Sequence, residues 1–70
     1  MDMIPVNSSN LSAVGYDVST QTLYIAFRNS GLYAYSNVPE SVYRGLMAAP
    51  SHGQYHAAFI KNAFPYHKIG

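Results

Sequence analysis

The sequence predicts an α+β fold: a three-stranded antiparallel β-meander followed by two α-helices packed on one face (β-β-β-α-α). Three observations carry this. Apolar residues alternate with a period of two through the first half, the period becomes helical after Val38, and Pro and Gly stand where the pattern changes. Seventy residues are too few to divide into two stable cores, so residues 1–70 are read as a single domain with its core from about 6 to 68.

The strand runs are Ser12 to Tyr16, Thr22 to Arg28 and Leu32 to Ser36. Polar residues at Asp17 to Gln21 separate the first two, and Asn29-Ser30-Gly31 separates the last two, with the Gly suited to a left-handed loop position. A loop over 18–21 pairs Asp17 with Thr22, which sets Tyr16 against Leu23 and Val14 against Ile25. A loop over 29–31 pairs Arg28 with Leu32, and hence Phe27 with Tyr33 and Ile25 with Tyr35. One face then carries Val14, Tyr16, Leu23, Ile25, Phe27, Tyr33 and Tyr35. The other is thinner and carries Ala13, Gly15, Tyr24, Ala26, Arg28, Leu32 and Ala34.

Pro39 suits a first helical position and Glu40 the positive helix start. Val42, Tyr43, Leu46 and Met47 form the apolar stripe, and Pro50 ends the helix. Ser51 and Gln54 make a capping pattern for a second helix that aligns Tyr55, Phe59 and Ala63 and stops before Pro65. The helices should cover the apolar sheet face and leave the other open to solvent or a partner.

Composition narrows the function. Four Lys/Arg against three Asp/Glu give a net charge of +1, too weak for a broad duplex-binding surface. Without cysteine there is no disulfide framework, thiolate zinc site or cysteine nucleophile. The N-terminus lacks the basic and apolar regions of a signal peptide and no apolar run has transmembrane length, so a soluble cytoplasmic protein with no membrane partner is expected. Ser51 beside His52 is explained by helix capping, Asp17 by its turn and Glu40 by its helix start, which leaves no catalytic constellation. His52 and His56 stand four apart, but no acid lies near them in sequence, so neither a metal nor another cofactor is expected and the chain is read as non-enzymatic.

The order of motifs carries a resemblance. It runs from Val6-Asn7-Ser8-Ser9-Asn10 through Val14-Gly15-Tyr16-Asp17, Thr22 to Phe27 and Tyr33-Ala34-Tyr35. It continues into Val38-Pro39-Glu40, Ala48 to Gly53 and Phe64-Pro65-Tyr66. The chain resembles the KTSC family, a small domain found alone in bacterial and phage-related proteins and at the C-terminus of some lysyl-tRNA synthetases, with a Tyr-x-Tyr hallmark. The resemblance implies a domain of uncharacterised function, for which the synthetase fusion suggests RNA binding, and it supplies no catalytic residue.

The candidate contact residues form two groups. Tyr24, Arg28 and Leu32 combine an aromatic body, a cation and an apolar patch on the thinner sheet face, the mixture enriched at contact surfaces. Lys61, Tyr66, His67 and Lys68 make a modest basic and aromatic patch near the C-terminus. Tyr33 and Tyr35, the family motif, fall on the helix-covered face and are expected to pack there rather than to stack bases. The leading expectation is weak RNA contact. The alternative is a protein-interaction or host-factor-binding module of phage or mobile-element origin, acting as a monomer or a weak homodimer.

Overall fold

Five antiparallel strands lie side by side in chain order, in a computed structural model that describes residues 2–70. They are β1 (Ile4–Pro5), β2 (Leu11–Asp17), β3 (Thr22–Phe27), β4 (Gly31–Tyr35) and β5 (Tyr66–Lys68). Between β4 and β5 come α1 (Glu40–Ala48) and a short α2 (His52–Tyr55), which continues into a π-helical turn at His56–Ile60. The α+β class holds, but the sheet has five strands rather than three. β1 is two residues including a proline, and β5 is three exposed residues, so neither is long enough to show alternation. Backbone bonds from the central strands place them: Val6 N–H donates to Ser12 O (3.2 Å), Ser36 N–H to Pro65 O (2.8 Å) and Ile69 N–H to Leu32 O (2.8 Å).

The first hairpin has the expected register, with Asp17 opposite Thr22 and Val14 opposite Ile25. The Asp17 carboxylate accepts from the Ser19 hydroxyl (2.7 Å) and the Ser19 backbone N–H (3.0 Å), and these bonds hold its pKa below the usual carboxylate value. The second hairpin is displaced by two residues from the expected pairing: Phe27 faces Gly31, Ile25 faces Tyr33 and Leu23 faces Tyr35. The chain turns through Arg28, Asn29 and Ser30, and Gly31 enters β4 at φ 100°, a conformation natural only to glycine. A shift of two preserves parity, so each side chain keeps its face.

A bulge between Leu11 and Ala13 lets Leu11 join Val14 on the covered face although they are three residues apart. The core is Leu11, Val14, Leu23, Ile25, Tyr35, Val38, Leu46 and Ile60. From α1, Leu46 is buried and Val42, Tyr43 and Met47 pack against this cluster, following the sequence stripe. Pro39 stands just before α1 in an extended conformation rather than as its first helical residue. The Tyr43 ring lies flat on Tyr16 (centroids 5.0 Å, 9° between planes), and the Tyr16 hydroxyl donates to Val38 O.

The second helix differs most from the sequence expectation. Ser51 caps it, its hydroxyl oxygen accepting from Gln54 N–H at 3.3 Å, but the α-helical part lasts only four residues. The chain then widens, and Lys61 N–H bonds His56 O at 2.9 Å, five residues back. The widening turns His56 and Ile60 inward and leaves Phe59 58% exposed, so the expected stripe of Tyr55, Phe59 and Ala63 does not form the buried face. Tyr55 still packs against the core, and its ring occupies the space a side chain at Gly45 would need.

Candidate functional site

A cleft of about 230 Å³ opens at the end of the covered face that α1 does not reach, between the β4–β5 edge and the π-helical turn. Strand alternation supplies its rings. Tyr33 and Tyr35 are two apart on β4, and β5 sets Lys68 opposite Tyr33 and Tyr66 opposite Tyr35, all on the same face. Tyr66 meets Tyr33 at 5.9 Å and Tyr35 at 5.3 Å, and Phe27 meets Tyr33 edge-on at 5.4 Å. Ser30, His56 and Lys61 complete the lining.

The π-helical turn explains why His56 and Lys61 line the same cleft. Five residues of an ordinary α-helix overshoot one turn, whereas here five residues close a single hydrogen-bonded turn, so residues 56 and 61 project to similar sides. His56 is buried, and its Nε2 lies 2.8 Å from the Tyr35 hydroxyl. Burial, aided by the nearby Lys61 charge, pushes the imidazole pKa down and favours its neutral form. Burial also pushes the Tyr35 phenol up to about 12, with smaller contributions from Tyr66 and Tyr33. A neutral phenol can donate its O–H to Nε2 of a neutral imidazole, an arrangement that puts the ring hydrogen on Nδ1.

The structure divides the residues singled out in sequence. Lys61 and Tyr66 line the cleft, and the Lys68 side chain passes beside Gly31, next to Ser30 at the rim. His67 pairs with Ala34 and projects from the opposite sheet face, so it is not brought together with Tyr66 and Lys68. That opposite face also holds Tyr24 and Leu32, with Tyr24 between the buried Gly15 and Ala34 across the ladder. Arg28 lies just past β3, where its Nε–H donates to Ser8 O at 2.9 Å and straps the segment before β2 to the second hairpin. Tyr35 is 3% exposed, whereas Tyr33 is half-buried and presents ring surface to the cleft.

Sequence reasoning missed Phe27, Ser30 and His56 as cleft residues. His56 stood out only as a helical neighbour of His52, but the two diverge: His52 Nδ1–H donates to Leu46 O at 2.8 Å, holding a carbonyl near the C-terminal end of α1. Among the described residues no group of three or more metal-ligating side chains comes together. Two of the three acids lie elsewhere. Asp17 and Glu40 are near Tyr16, and Arg44 pairs with Glu40 at 3.0 Å.

Residues 7–64 match the KTSC domain model. The chain belongs to the KTSC domain family. This KTSC domain is 39% identical over 62 residues to a protein of Tsukamurella paurometabola, covering 89% of the chain and 92% of that relative. It is 37% identical over 67 residues to a lysine–tRNA ligase of a Nostoc species, covering 96% of the chain but only 12% of the ligase, so it spans a small part of that relative's length. The crystal structure of a KTSC domain protein from Yersinia pestis superposes with a TM-score of 0.97 at 39% identity, covering 99% of this chain and 97% of that one. No helix among the described residues is long and apolar enough to cross a membrane.

Proposed function

We propose that this KTSC domain is a non-enzymatic cytoplasmic module that contacts single-stranded RNA through the aromatic cleft and its lysine rim. The observation that carries the reading is the wall of rings from Tyr33, Tyr35 and Tyr66 with Lys61 at the same cleft. Exposed ring faces stack unpaired bases and neighbouring ammonium groups attract the backbone, the two components of single-strand binding. Among the described residues no Asp or Glu lines the cleft. The relatives named lysine–tRNA ligases work on tRNA by name and carry a similar region, which fits a module serving RNA. Within the cleft Tyr35 and His56 engage each other rather than a nucleophile, which favours binding over catalysis.

The test is a gel-shift series with single-stranded and duplex RNA in rising salt. Single strands should shift at low salt, with a salt slope of about −1.4 if two lysines neutralise phosphates, and Lys61→Ala should weaken the shift. No shift of any RNA at low salt would remove the proposal.

A second reading, protein contact or weak self-association, rests on the sheet face without helices, where Tyr24, Ala26 and Leu32 form a half-buried patch. Sedimentation of wild type against Leu32→Glu tests it: a mass that falls with the substitution supports self-association through this face, and equal monomeric masses exclude it.

A further inference from the structure

We infer that the cleft takes one unstacked nucleotide, with His56 Nδ1–H donating to an acceptor on the base edge and Lys61 beside the phosphate. This deepens the RNA reading above and rests on it.

The geometry of His56 is the first argument. Its Nε2 lies 2.8 Å from the Tyr35 hydroxyl, and among the described residues no other hydrogen bond reaches the imidazole. Among the described residues no side-chain nitrogen or oxygen is buried without a partner, so Nδ1 retains access to solvent, and the ring lines the cleft. With the Tyr35 O–H donating to Nε2, the ring hydrogen sits on Nδ1. The outcome is a donor held in place by Tyr35, edge-on to Phe27 (centroids 5.1 Å, 66° between planes).

Size and charge supply the rest. A volume of about 230 Å³ is below the roughly 300 Å³ where pockets for drug-sized ligands begin, which leaves room for one ring system with its sugar outside. Bases in a duplex are stacked and cannot enter, so only a loop, bulge or strand end qualifies. Lys61 places positive charge at the same cleft, which favours a nucleotide over an uncharged aromatic compound.

The experiment is an NMR titration of the isotope-labelled full chain, following the His56 imidazole nitrogens and the tyrosine ring signals. The probes are AMP and UMP, with ribose 5-phosphate and inorganic phosphate as ligands without a base. Nucleotides should move the Tyr33, Tyr66 and His56 Nδ1 signals, and ribose 5-phosphate should bind at least tenfold more weakly. Tyr33→Ala should keep the folded spectrum and lose about tenfold or more in affinity for a single-stranded tetranucleotide. Equal binding of ribose 5-phosphate, or ring shifts without a His56 Nδ1 shift, overturns the inference. Gel shifts with RNA but no mononucleotide response also overturn it while leaving the RNA reading intact, whereas failure of every RNA removes both.

Discussion

The two ends of the covered sheet face use the same residue types to opposite effect. At one end Tyr16 lies under Tyr43 of α1, ring on ring at 5.0 Å, and its hydroxyl is taken by Val38 O. At the other, Tyr33 and Tyr66 meet at 5.9 Å with planes 49° apart, and the short α2 and its wide turn leave a cleft over them. An aromatic ring on a strand becomes core or contact surface according to whether the next layer brings a partner ring to it. The difference here is what each helical segment presents: α1 lays Tyr43 on Tyr16, whereas the π-helical turn brings His56 and Lys61 to the cleft and no ring over Tyr33.

Tyr35 sits where the two ends meet, so its loss should break the comparison most severely. Tyr35→Ala removes a ring that is 3% exposed and is expected to cost about 3–5 kcal/mol, comparable to the whole stability of so small a domain. Chemical denaturation checks this, and a variant with an unchanged midpoint would show that the ring is not core. Tyr35→Phe keeps the ring but strands His56 Nε2, for an expected loss of about 1–3 kcal/mol.

Gly45→Ala tests the packing of α2 onto α1. Replacing an interior helical glycine gains about 1 kcal/mol in helix propensity, but the new methyl group meets the Tyr55 ring, and overpacking costs about 1–3 kcal/mol. The net expectation is a lower melting temperature, and a raised one would mean that Tyr55 swings aside freely. At the sealed end, Tyr16→Phe should cost about 1 kcal/mol for its bond to Val38 O.

The Tyr35–His56 pair also predicts a pH profile specific to the open end. His56 titrates below its ordinary 6.5 in the folded chain, so the unfolded chain binds its proton first. The stability from neutral His56 is therefore complete above about 6.5 and declines as pH falls through that value towards the lowered folded pKa. Tyr35 has the opposite sign: with its folded pKa raised to about 12 from 10.0, its contribution is complete below 10.0 and is lost as pH rises towards 12. Melting temperatures across pH should form a plateau between these limits, with a smaller alkaline fall in Tyr35→Phe. The smallest effect is expected from Arg44→Ala. Its ion pair with Glu40 joins side chains 75% and 46% exposed, so the change should stay within about 0.5 kcal/mol.

Period-two alternation and the polar loop after Asp17 were sufficient for β2, β3 and their register, because parity decides which side chains are buried. Gly31 announced the second turn, yet its pairing moved by two because the positive-φ residue begins β4 instead of ending the loop. Tyr33, Lys61, Tyr66 and Lys68 were individually legible as aromatic or cationic residues. Their assembly around one cleft was not, since β5 is ordered only by bonding to β4 and shows no periodicity of its own.

Sequence alone thus determined the α+β class, the first hairpin, the stripe of α1 and the face on which each central strand buries its side chains. These follow from local periodicity and turn chemistry, which neighbouring residues carry among themselves. Tertiary structure decided the two outer strands, the π-helical turn that sets Lys61 beside His56, and the separation of His67 from Tyr66 and Lys68. The outer strands depend on hydrogen bonds between segments distant in the chain, and no local pattern records which distant partner will be there.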